Sequence, residues 1–342
     1  MKAWLGRGMR PARPAERSPG ARKPIGLALQ GGGSWGAYTW GVLDALLAGR
    51  TVTITQLSGT SAGAINAAIV ASALAKGSPS DARRALSSFW VAMSDPTLSN
   101  LARELWRPVE HKWRDSLGAW LWSTGMLSPY SANPLGLNPL REALLESIDF
   151  ERLRNRSPIK LLLAATRVTD GRLRILTNPE LTVEAVLASA CLPLLNQSIV
   201  IDGEAYWDGG YAANPPLIPL VRASKSDHLL IVQVTPMKTN RLPVTAPDIT
   251  KRIDQIQFNA TLNSELEALK LGKLIGASAK LRRLRIGRIS VDEEVEGLAQ
   301  ESAGNLGSEF LERLRASGHV AADLWLKKDM PQASRQPQEP AL

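Results

Sequence analysis

The chain has 342 residues, 44% of them hydrophobic, a formal charge of +9 and a single cysteine, Cys191. One cysteine excludes a disulfide framework and a cysteine-based metal centre, and three histidines (His111, His228, His319) leave little for a histidine cluster, so no metal is expected. No apolar run reaches the roughly 18 residues of a membrane-spanning helix. The charge is also uneven: residues 1–24 carry seven Lys and Arg against Glu16 alone. The body is therefore nearly neutral, and no nucleic-acid partner is expected.

The basic leader 1–24 has no apolar stretch of the secretory kind and reads as a disordered extension, with attraction to anionic lipid headgroups as the alternative. Order is expected from Pro24. Ile25–Leu29 is an apolar run ending in Gly31-Gly32-Gly33, which reads as a buried strand entering a tight loop; from Ala37 apolar residues recur at helical spacing. Val52–Leu57, the turn Ser58–Gly63 and the alanine-rich Ala64–Leu74 repeat that scheme. Two strand–loop–helix units in succession predict a βαβ arrangement and a parallel sheet.

Residues 80–130 read as helical and hold five of the ten tryptophans. Trp106, Trp113 and Trp120 share one helical face; with Trp122, Leu101, Leu105 and Leu117 they read first as plain core, with a lid that seats acyl chains or dips into a bilayer interface as the alternative. A Pro/Asn-rich loop, Ser128–Pro139, precedes a helix at Leu140–Leu145. There follow a strand at Lys160–Thr166, a helix at Thr182–Ala190, and a hairpin of Ile199–Ile201 and Ala205–Trp207 about Asp202-Gly203. A strand at Leu229–Val234, a long amphipathic helix at Thr250–Leu274, a strand at Leu284–Ile289 and a helix at Leu306–Leu326 complete the chain. Nothing repeats at a fixed period. Residues 25–326 are expected to form one domain, with 327–342 a flexible tail.

Gly59-Thr60-Ser61-Ala62-Gly63 fits the G-x-S-x-G pattern, in which a serine sits on a strained turn between strand and helix. The bare pattern is common in a chain with 27 glycines, but here an apolar strand precedes it and a helix follows. Such a turn lifts the serine hydroxyl clear of the sheet, at a helix N-terminus whose unpaired N–H groups favour a developing oxyanion. The loop Gly31–Gly36 is not a Walker loop, since no Gly-Lys-Ser/Thr follows. A dinucleotide site would need an acidic residue about 20 positions on, and there is none between Asp44 and Asp81. Backbone N–H groups offered to an oxyanion beside Ser61 are the remaining reading.

A histidine base for Ser61 is disfavoured. His228 stands before its strand, the end away from the turn; His319 lies in the closing helix; His111 is upstream of the serine. A carboxylate at about 3 Å can take the serine proton directly. Asp208-Gly209-Gly210 and Asp202-Gly203 both offer one, and residue type alone does not separate them.

Ser61 within Gly59–Gly63, the earlier Gly31–Gly33 and the later Asp208-Gly209-Gly210 together resemble the patatin-like phospholipase family, in order and spacing, from about Ile25 to Pro216. Ser128-Pro129-Tyr130, Asn133-Pro134-Leu135 and Ile256-Gln257-Phe258-Asn259-Ala260 look like its bacterial cytoplasmic branch. The resemblance implies a three-layer α/β/α hydrolase with a mainly parallel central sheet, needing no cofactor. It implies Ser61 as nucleophile and Asp208, rather than Asp202, as base. It also implies an oxyanion hole of Gly31, Gly32, Gly33 and the Ala62 N–H, and an elbow shaped by Gly59 and Gly63. The implied substrates are fatty-acyl esters of phospholipids or lysophospholipids, cleaved in the cytoplasm or peripherally at the inner membrane surface. Two positions depart from the family: Trp35 stands where Arg or Lys is common, which weakens phosphate-headgroup recognition, and Gln30 where an acidic residue is often found. A carboxylesterase of another ester class and a non-catalytic lipid binder are the alternatives.

Overall fold

Apolar runs without alternation, such as Ile25–Leu29 and Leu161–Ala165, satisfy only strands covered on both faces. A computed structural model of the chain describes residues 22–95, 128–239, 242–291 and 303–330. Its first half runs β1 (Lys23–Leu29), α1 (Gly36–Ala48), β2 (Val52–Gly59), α2 (Ala62–Lys76), α3 (Pro79–Ser94), α4 (Pro129–Ala132), α5 (Pro139–Ser147) and α6 (Phe150–Arg156). Then come β3 (Lys160–Arg167), β4 (Leu173–Thr177), α7 (Val183–Ser189), the hairpin β5 (Ile199–Ile201) and β6 (Glu204–Asp208), and α8 (Leu217–Ala223). The last part is β7 (His228–Gln233), α9 (Ala246–Leu274), α10 (Ala279–Arg283), β8 (Arg285–Ser290) and α11 (Ser308–Asp329).

The sheet order is β5-β6-β3-β2-β1-β7-β8, with β4 on the remaining edge of β3. β3, β2, β1, β7 and β8 are parallel, and the hairpin and β4 are antiparallel. Alternate residues of each central strand serve two cores. Leu27, Leu29, Leu161, Leu163, Leu230 and Val232 pack with α1, α2, α3 and α11. Ala28, Leu162, Leu229 and Ile231 pack with Leu217 and Leu220 of α8 and Leu262 and Leu269 of α9. The sheet is thus mainly parallel with helices on both sides.

One register detail positions the site. β2 pairs with β3 only as far as Gly59↔Leu163, and from Ala165↔Asp208 onward β6 pairs with β3 instead. β4 occupies the opposite edge of β3 across both stretches. β6 therefore continues, antiparallel, along the edge that β2 has left, and Asp208 arrives just beyond the end of β2.

β4, α4, α6, α8 and α10 were not expected: the Asp170-Gly171 turn and Pro215-Pro216 obscure β4 and α8, α4 is a single turn inside the Ser128–Pro139 segment read as a loop, and α6 and α10 are short and rich in charge. α9 starts four residues before its expected Thr250, because the Thr245 hydroxyl accepts the Asp248 N–H and Pro247 suits a first turn. Trp90 is core, 4% exposed, with its indole N–H on Asn66 Oδ1 at 3.0 Å. Trp106, Trp113, Trp120, Trp122 and His111 lie outside the described residues, as do most of the leader and tail. Among the described residues no helix is long and apolar enough to cross a membrane.

Candidate active site

Ser61 caps the N-terminus of α2 with φ 53° and ψ −124°, a left-handed backbone that a non-glycine residue adopts only under constraint. The constraints are visible. Thr60 N–H donates to the Leu29 carbonyl at 3.3 Å, and its hydroxyl to the Ala213 carbonyl at 2.8 Å. The Ser61 N–H is shared between the carbonyl and hydroxyl oxygens of Ser189, each at 3.1 Å. A Cβ at Gly59 would lie 2.6 Å from the Gly63 carbonyl oxygen, and one at Gly63 would collide with the Leu29 carbonyl. Only glycine lets α2 start this close to β1 and β2.

Asp208 is fully buried, whereas Ser61 is half-buried. The Asp208 backbone is fixed by its N–H on the Cys191 carbonyl at 2.7 Å and by the Thr166 hydroxyl on its carbonyl at 2.8 Å. Its carboxylate accepts the Gly210 N–H at Oδ1, 2.7 Å away, while Oδ2 is buried without a hydrogen-bond partner among the described residues. Burial pushes the carboxyl up to about 7; the Gly210 N–H and the nearby Ser61 hydroxyl pull the other way. The hydroxyl is thus close enough to favour the ionised form but completes no bond in this state. Asp202, by contrast, sits at the β5–β6 hairpin tip, with φ 51° followed by Gly203 at 82°. The structure therefore separates the two Asp-Gly pairs.

The glycine loop lies against this turn: a Cβ at Gly31 would be 2.7 Å from both Ser61 Cβ and the Thr60 carbonyl oxygen. Its three amides differ. Gly31 N–H is taken by Asn214 Oδ1 at 2.7 Å. The N–H groups of Gly32, Gly33 and Ala62 have no hydrogen-bond partner among the described residues. Gly33 is left-handed at φ 60°, and Ser34 N–H continues to the Ala303 carbonyl at 2.8 Å.

Beneath the loop is a buried amide network with no counterpart in the sequence reading. Gln30 Oε1 accepts the Val234 and Thr235 N–H groups at 2.9 and 2.8 Å, and its Nε2 donates to Asn259 Oδ1 at 3.0 Å. An acid at position 30 could not make that last donation while ionised, which accounts for the amide. Trp35 is 5% exposed and packs edge-on against Phe310 at 5.9 Å, so it faces the core. His228 opens β7, away from Ser61, as expected. His319 Nδ1 lies 3.0 Å from Asp44 Oδ2, outside the site.

A half-buried serine on a strained turn, a buried carboxylate and an adjoining loop, the last two with an oxygen and amides unpaired among the described residues, form a constellation suited to acyl transfer. Residues 27–221, more than half of the chain, match the family model of the patatin-like phospholipases. The chain belongs to the patatin-like phospholipase family. Membership implies lipid acyl hydrolase chemistry. No curated protein matches the sequence. Among solved structures, the chain is similar to VipD from Legionella pneumophila at 17% identity and a TM-score of 0.46, covering 90% of this chain and 67% of that one. It is also similar to full-length ExoU in complex with SpcU, from the type III secretion system of Pseudomonas aeruginosa, at 18% identity, a TM-score of 0.33 and coverage of 90% and 54%. This chain thus spans between about half and two thirds of the length of these structures.

Proposed function

We propose that this patatin-like chain hydrolyses fatty-acyl esters of phospholipids or lysophospholipids through a Ser61–Asp208 dyad and an acyl-enzyme. The observation that carries the proposal is the buried Asp208 with Oδ2 unpaired beside the hydroxyl of a serine on a strained turn. Asp208 takes the Ser61 proton as Oγ attacks the acyl carbonyl. The tetrahedral oxyanion is held by the Gly32, Gly33 and Ala62 N–H groups, with the α2 N-terminus adding its dipole. Gly31 shapes this hole rather than donating to it, since its amide is engaged. The intermediate collapses, the alcohol leaves with the proton from Asp208, and Asp208 then activates water to release the fatty acid.

Contact with a lipid surface is assigned to the N-terminal half of α9, where Ile249, Ile253 and Ile256 share one face at 42%, 56% and 55% exposure. That half starts from the loop after β7, on the same edge of the sheet as Ser61. A carboxylesterase of non-phospholipid substrates is the second reading, favoured by Trp35: turned into the core, it leaves no cation two residues after Gly33. The test is fatty-acid release from mixed phospholipids, lysophospholipids and short acyl esters by wild type, Ser61→Ala and Asp208→Asn, each checked for folding. Release from lipids that vanishes in both variants supports the first reading. Turnover of short esters alone, still dependent on Ser61, supports the second. Activity surviving Ser61→Ala contradicts both.

A further inference from the structure

We infer that Asn214 is a positioning residue that clamps the glycine loop and ties it to the segment carrying Asp208. The inference rests on the dyad reading above. Asn214 is fully buried. Its Oδ1 accepts the Gly31 N–H at 2.7 Å, and its Nδ2 donates to the Phe258 carbonyl at 3.3 Å and reaches the Gly31 carbonyl at 3.5 Å. One amide side chain thus engages both polar groups of Gly31. The donor partners fix which end is oxygen, because a backbone N–H must meet an acceptor. The backbone of Asn214 is held too, by Gln30 Nε2 on its carbonyl at 3.5 Å, and the neighbouring Ala213 carbonyl receives the Thr60 hydroxyl.

The placement gives these bonds a consequence. Asp208 and Asn214, both fully buried, stand six residues apart on one segment, Asp208 directed at Ser61 and Asn214 at Gly31. A Cβ at Gly31 would have no room between itself and Ser61 Cβ or the Thr60 carbonyl oxygen, each 2.7 Å away, so the loop lies directly against the turn. Base, nucleophile turn and glycine loop are therefore locked by one short stretch. By occupying the Gly31 amide, Asn214 leaves Gly32 and Gly33 as the unpaired donors of the loop. A residue of this kind acts on transition-state geometry more than on ester binding, because the oxyanion forms only as the serine attacks.

The experiment compares wild type, Asn214→Ala, Asn214→Asp and Ser61→Ala in the full chain, with a short acyl ester as probe. The readouts are kcat, KM, the acid limb of the pH profile and the folded fraction by near-UV circular dichroism. Asn214→Ala is expected to lose about 10²-fold in kcat, the scale of a misplaced catalytic geometry, with KM within about threefold. The acid limb should stay in place, because Asp208 keeps its own contacts. Asn214→Asp retains an acceptor for Gly31 and is expected to recover part of the loss. Should the alanine variant fail to fold, Thr235→Val removes the other side-chain bond to the Gly31 carbonyl, at 3.2 Å, and is expected to give the same kcat-only loss at smaller amplitude. Wild-type kcat in folded Asn214→Ala overturns the inference, as does a loss that only follows the folded fraction; for Thr235→Val, an unchanged kcat does so. Activity in Ser61→Ala overturns the dyad itself, an outcome distinct from either.

Discussion

Asp208 carries a cost that the rest of the site explains. Its carboxyl is pushed up to about 7 by burial, so it is half protonated near neutrality and can both take and return a proton there. The proposed mechanism needs the ionised form to start. The kcat/KM of wild type, which reports the free enzyme, is therefore expected to fall about tenfold per pH unit below 7 and to level off above it, which a pH–rate profile on a soluble ester checks. The same ionisation has an opposite signature in stability. Between the ordinary 3.8 and about 7, the folded chain keeps a proton that the unfolded chain has lost, so this residue's contribution falls as pH rises through that window and stays low above it. Asp208→Asn should then melt higher than wild type at pH 8, with the gap closing towards pH 4, while losing its activity. Thermal melts at the two pH values decide the point. The turn at Ser61 was legible because its backbone demands flanking glycines, and glycines are visible in a sequence; Asp208 shared its Asp-Gly signature with Asp202 and was singled out by the family resemblance alone. Asn214 and Ser189 were not: a buried Asn before Pro215 and a Ser at the end of α7 look ordinary until the chain ends they join are seen together.

Among the elements, α1 and α11 cross with no room between them. A Cβ at Gly41 would collide with the Arg315 carbonyl oxygen, and one at Gly318 with the Tyr38 carbonyl oxygen. Gly318→Ala is expected to destabilise by about 2–3 kcal/mol, read as a lower urea midpoint, because backbone on both sides leaves nothing soft to move. α9 shows the reverse situation. Its C-terminal half packs Leu262 and Leu269 on the sheet, while Ile249, Ile253 and Ile256 are left to solvent. Ile253→Asp is expected to lower turnover of vesicle lipid more than turnover of a soluble ester; equal losses would sink the lipid-surface assignment. Strands and helices with a clean period were readable to within a few residues. The hairpin was readable because Asp202-Gly203 supplies the positive φ values its turn requires. β4 and α8 were hidden by flanking turn residues, and the edge exchange on β3 could not be read at all, since register between distant strands leaves no local mark.

At the scale of the molecule, the parts of the site come from across the chain. The glycine loop follows β1, Ser61 follows β2, Asp208 ends β6, and the Gln30 amide is held by Asn259 of α9. Their meeting point is the carboxyl edge of the parallel strands, where an open α/β sheet keeps its sites. Away from it, Asp44 joins α1 to α3 and α11, with Arg83 Nε at 2.6 Å and His319 Nδ1 at 3.0 Å, so the outer layer is fixed independently of the catalytic edge. The +9 charge of the chain, by contrast, belongs mostly to residues 1–24 and says little about the body. The most direct test of the central claim is covalent labelling with a fluorophosphonate, followed by mapping of the modified peptide. The account predicts one adduct, on Ser61, formed far more slowly in Asp208→Asn and absent in Ser61→Ala. An adduct on another residue, or undiminished labelling of folded Asp208→Asn, would contradict it.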